Sequence, residues 1–196
     1  MKISWELPAF RPGIWGSVDK FIGPGATRAE KNIQLYPPFA LAAGIVAFGL
    51  INQVDWSLWQ YVVIAFLAVD MLGGVITNAT SAAKRWFFRD GEGFNQHMTF
   101  VALHLVQTAM FSWAFLEFNL VWIAGVYGIL LAGSAVILKT PLYLQRPVAA
   151  LIYVVTLFLS LYVFETEPYL EWFLPVLFFK ILVSHVLREE PYRPDM

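Results

Sequence analysis

Six stretches of this chain are apolar on nearly every face, and that repetition limits its fold more than any motif does: residues 38–52, 57–81, 97–116, 119–138, 147–164 and 170–188. About 20 apolar residues are needed for a helix to cross the hydrocarbon core of a bilayer. A helix that is hydrophobic all round belongs in a core or in lipid. With 59% hydrophobic and only 14% charged residues among 196, there are too few polar side chains to coat a water-soluble core made of six such helices. The expected fold is an all-α integral membrane protein. It has a six-transmembrane-helix bundle over residues 38–188, an N-terminal segment 1–37 and a short tail 189–196.

Charge along the chain then sets an orientation. The connections after the second and fourth spans and the C-terminal end carry Lys84, Arg85, Arg89, Lys139, Arg146, Arg188 and Arg193, whereas the opposite connections carry Asp55, Glu117, Glu165 and Glu167 and no Lys or Arg. Basic loops stay on the cytoplasmic side. Both termini are therefore expected in the cytoplasm, with the chain in the cell's inner (cytoplasmic) membrane. In segment 1–37, Trp5, Phe10, Trp15 and Phe21 alternate with Arg11, Lys20 and Arg28, the composition of an amphipathic segment lying among lipid headgroups. Lys2 is followed by no apolar run or small-residue cleavage site, so no secretory signal peptide is expected. Thr27 and Glu30 have capping-box spacing and predict a short helix, which Pro37-Pro38 should end.

The net charge of −1 gives no reason to expect a nucleic-acid partner, and the absence of cysteine excludes disulfides, thiolate metal ligands and thiol nucleophiles. Chemistry must come from polar groups inside the spans, where they are expensive and mark function. Asp70 lies about ten residues from the cytoplasmic end of its span, roughly 14 Å deep, and Gly74, Asn78 and Ser81 follow it on one helix face. His97 and His104 are seven residues apart on the next helix, with Gln107 and Thr108 one turn deeper, and Lys180, Ser184 and His185 share the last. All three histidines, the deep acid and the deep base thus fall in the cytoplasmic half of their spans.

Three chemistries can use such a cluster. Imidazoles with one carboxylate make a ligand set for zinc or non-haem iron. In that arrangement Asp70, His104 and His185 hold the metal and His97, Asn78 and Lys180 complete the catalytic group. The open coordination position activates water, as in a hydrolase, or oxygen beside a lipid-like substrate. A proton-coupled transporter or channel subunit would instead use Asp70, His104 and Lys180 as a relay. A haem- or quinone-binding subunit would use His104 and a histidine from another span as axial ligands. The structural alternatives are a buried Asp70–Lys180 ion pair, a packing notch at Gly73-Gly74, and an interfacial anchor at residues 84–89 in place of a loop guiding an anionic headgroup. Expected partners are membrane lipids and, through the small-residue face Ala40, Ala43, Gly44 and Ala47, a second copy of the chain.

Overall fold

The computed structural model describes residues 1–194. The last two residues of the expected tail, 195 and 196, lie outside the described residues. Apart from one two-stranded pairing at the termini, the regular structure is helical. Among the described residues five helices are long and apolar enough to cross a membrane, with α5 and α6 together forming one of them.

The first, α2 (Arg28–Ile51), follows the short α1 (Ile14–Ile22). Its start is the expected capping box: Glu30 N donates to Thr27 Oγ1 at 3.1 Å and Thr27 N to Glu30 Oε2 at 2.7 Å. Its end is not where the sequence suggests, because Pro37 and Pro38 lie inside one continuous 24-residue helix. A proline removes one backbone donor, and apolar helices packed on neighbours tolerate that loss. Here the Pro38 ring packs beside Gly73, where a Cβ would meet it at 3.7 Å. The first span is therefore long enough to cross.

Ser57 N donates to Gln60 Oε1 at 2.8 Å and starts α3 (Leu58–Ala79), which packs extensively on α2. Thr80 then ends α3 and caps α4 (Ser81–Phe87), its Oγ1 accepting from Ala83 N at 3.3 Å. Much of the expected basic loop is thus a helix. The third span is broken into α5 (Phe94–Leu103) and α6 (Leu105–Phe115) at His104, whose N–H bonds the Val101 carbonyl three residues back at 3.0 Å. Asn119 caps α7 (Leu120–Lys139) through Trp122 N at 3.0 Å, and α8 (Leu142–Tyr162) begins before Pro147 instead of at it.

The expected sixth span departs most from the sequence reading. It is a short helix, α9 (Phe173–Phe178), running directly into π-helical turns over Phe179–His185. At 13 residues it falls short of the length that identifies a span by itself. It packs against α3, α7 and α8, and Phe173 stacks on Phe111 of α6 at 4.0 Å. Leu174, Leu177, Phe178, Ile181 and Leu182 are all buried. This helix is the axis of the bundle, whereas α2 and α8 present much of their apolar surface outward.

The termini meet. Strand β1 (Lys2–Ile3) pairs antiparallel with β2 (Tyr192–Arg193), and Ser4 N donates to Pro191 O at 3.0 Å. Beside them α1 turns its polar side inward, Asp19 holding the Arg11 guanidinium at 2.5 Å, and leaves Ile14, Trp15 and Phe21 exposed. That bond lowers the Asp19 pKa and raises that of Arg11.

Candidate functional site

The π-helical turns carry the two functional side chains of the last helix, Lys180 and His185. In an α-helix, positions five apart lie about 140° round the axis, whereas the wider i→i+5 turn narrows that angle. Lys180 reaches α3 while His185 reaches α5.

His185 Nε2 lies 3.3 Å from Nδ1 of His97, which stands in the first turn of α5, and both rings are buried. Aromatic side chains fix them. Phe100 stacks on His185 with centroids 3.9 Å apart, Phe87 meets the same ring edge-on at 5.2 Å, and Phe88 lies 4.4 Å from the His97 ring. A cleft of about 280 Å³ opens onto the pair, bounded by Trp86, Arg89, Glu92, Gln96, Thr99 and Leu103. Arg89 lies over the Trp86 ring at 3.4 Å, donates to the Trp86 carbonyl at 2.5 Å and forms an ion pair with Glu92.

Deeper along the last helix, Lys180 Nζ donates to Asp70 Oδ2 at 2.9 Å, and Gln107 Nε2 donates to the same oxygen at 3.2 Å. Gly74 makes room for the lysine stem: a Cβ there would lie 2.2 Å from Lys180 Cε. The Gly73-Gly74 pair is thus a notch in α3 that receives a proline ring from α2 and a lysine chain from the last helix. His104 sits between the two groups in depth. Its Nδ1 bonds the Phe100 carbonyl at 2.9 Å, its ring packs on Phe100 at 5.1 Å, and its buried Nε2 carries no hydrogen bond. Asn78 is buried one turn beyond Gly74, and its Nδ2 is likewise without a partner.

The residues singled out from sequence are therefore divided between two places. His97 and His185 meet at the cleft, Asp70 and Lys180 meet beside Gly74, and His104 and Asn78 join neither pair by a hydrogen bond. Asp70, His104 and His185 are not gathered round one point, and among the described residues no three His, Asp or Glu side chains are placed to hold one metal ion.

Two residues read from sequence as interfacial are interior. Lys84 is buried, and its Nζ donates to the carbonyls of Ser184 and Leu187, both at 2.6 Å. It satisfies the end of the helix that carries His185, and burial pushes its pKa down to about 8. Arg85 is also buried and donates through Nε to the Ser4 carbonyl at 2.8 Å. Burial and the nearby Arg193 lower its pKa. A sequence signal of this close packing is Gly23, where a Cβ would lie 2.4 Å from the Ala82–Ala83 backbone of α4.

Comparison with protein-family models, curated proteins and solved structures finds no match for this chain.

Proposed function

We propose that this polytopic membrane protein is a membrane enzyme acting on an amphipathic, lipid-like substrate, and that the His97–His185 pair at the inner end of the cleft is its acid–base centre. The carrying observation is the 3.3 Å approach of two imidazoles from separate helices at the base of an opening. Each neutral imidazole has one N–H and one lone pair. The bond between the rings uses one of each, so the pair retains one acceptor and one donor on its outer nitrogens. The outer nitrogen of His97 is the end that can exchange a proton with a substrate, and His185, its Nδ1 buried, supports it through the shared bond.

The same separation would also suit a second form of this reading, in which the two rings would hold a zinc or iron ion between them. Two nitrogens about 2.0–2.1 Å from one tetrahedral ion lie roughly 3.3 Å apart. Bound there, such an ion would supply a Lewis acid, with His97 Nδ1 and His185 Nε2 as its protein ligands.

The orientation belongs to the proposal as well. Pairing of β1 with β2 puts both termini at one end of the bundle, which supports an even number of crossings, with the buried last helix as the sixth. The basic connections place that end in the cytoplasm. The exposed apolar side of α1 then rests on the inner leaflet of the cell membrane.

The test compares lipid extracts from cells expressing wild type, His97→Ala or His185→Ala, and from cells lacking the protein. An amphiphile consumed or formed by wild type should change at least about 100-fold more slowly with either variant, the usual scale of acid–base contributions. Equal turnover by the folded variants would overturn the assignment. Metal content of the purified protein, lost in both variants, would select the metal form over the proton form.

A further inference from the structure

We infer that the cleft takes a long-chain amphiphile whose polar head is uncharged, such as an alcohol, aldehyde or primary amide, and discriminates against phosphate and carboxylate heads. This rests on reading the cleft as the substrate site, and it reverses the expectation that the basic residues 84–89 guide an anionic headgroup.

The reversal comes from where the three cations of that segment point. Lys84 is turned into the protein and holds two carbonyls at the end of the last helix. Arg85 is buried against the Ser4 carbonyl. Arg89 is the cation that lines the cleft, and its charge is matched by Glu92 while its face is covered by Trp86. With neutral imidazoles the lining has no net charge. An anionic head would have to separate Arg89 from Glu92 and then meet the freed carboxylate, an unfavourable exchange where the surroundings are aromatic.

What remains free in the lining suits a neutral head. Gln96 uses its Oε1 to accept from Gly93 N at 3.1 Å, which leaves its amide donors available. Thr99 Oγ1 donates to the Asn95 carbonyl at 2.9 Å and keeps its acceptor lone pairs. One hydroxyl, carbonyl or amide can use such isolated donors and acceptors without moving any charged group. The cleft's 280 Å³ lies at the small end of ligand sites, so it holds a head and the first carbons. Leu103, 62% exposed, marks where the rest of the chain leaves along the outer face of α5.

The experiment uses the full chain in nanodiscs and a set of C16 probes with the same mid-chain diazirine, bearing alcohol, carboxylate, phosphate or phosphocholine heads. Crosslinks are mapped by mass spectrometry. At equal mole fraction the alcohol probe should label residues 86–103 at least tenfold more than the phosphate probe. Glu92→Gln, which leaves Arg89 uncompensated, should narrow that ratio by admitting phosphate. Labelling by any formally charged head that equals the alcohol in wild type overturns the inference while leaving the cleft a binding site. If no head labels this segment above the outward face of α8, the substrate-site reading falls with it.

Discussion

Lys180→Met is expected to destabilise the protein by on the order of 3 kcal/mol, whereas the double variant Asp70→Asn, Lys180→Met should regain most of that loss. The asymmetry follows from burial. The Lys180 side chain is 4% exposed and the Asp70 side chain 27%. Removing the lysine leaves a carboxylate inside an apolar bundle with only Gln107 to meet it, and removing both charges leaves groups that the interior accepts. The midpoint of SDS-induced unfolding in mixed micelles measures both variants. The cycle also decides what the pair is for. If the stable double variant keeps its effect on the lipid profile, Asp70 and Lys180 hold α3 and the last helix together. If it loses that effect, the pair belongs to the chemistry, as a transporter-like proton relay would require.

Lys84→Met should cost a similar amount, about 2–3 kcal/mol, because it strands two buried carbonyls at the end of the last helix. Methionine fills the volume and leaves those acceptors without a donor. A pH dependence accompanies it. Burial lowers the Lys84 pKa from 10.5 to about 8, so between those values the unfolded chain binds more protons than the folded one. Stability due to this group therefore rises with pH across that window. The unfolding midpoint should climb more steeply from pH 8 to 10 in wild type than in Lys84→Met. Parallel curves would show that Lys84 titrates as an ordinary exposed lysine.

These two lysines also show how far the sequence could be read. Lys180 lies deep in an apolar run with Asp70 as the one deep acid, so the sequence itself admits a paired arrangement, and the structure shows that pair. Lys84 stands beside Arg85 and three aromatic residues, a composition shared by interfacial anchors and by a helix folded back on a bundle. Only tertiary packing separates the two. The apolar runs themselves were legible because lipid demands them, and the Thr27–Glu30 cap because it is local. Pro37-Pro38 misled because propensity learned in water overstates the cost of proline in a packed apolar helix. The π-helical turns left no mark in residue spacing. They set which neighbour Lys180 and His185 each reach, and so the His97–His185 pair could not be read from sequence although both residues stood out.

That pair is the centre of the account, and the chain contains only three histidines through which to examine it. The direct measurement is a ¹⁵N spectrum of the histidine side chains in wild-type protein in nanodiscs, assigned by single replacement of each. A bonded pair requires that His97→Ala shift the ring signals of His185, that His185→Ala shift those of His97, and that a nitrogen–nitrogen coupling across the hydrogen bond join them in wild type. Histidine signals that ignore each other's removal would contradict the shared centre and leave two separate buried rings in its place.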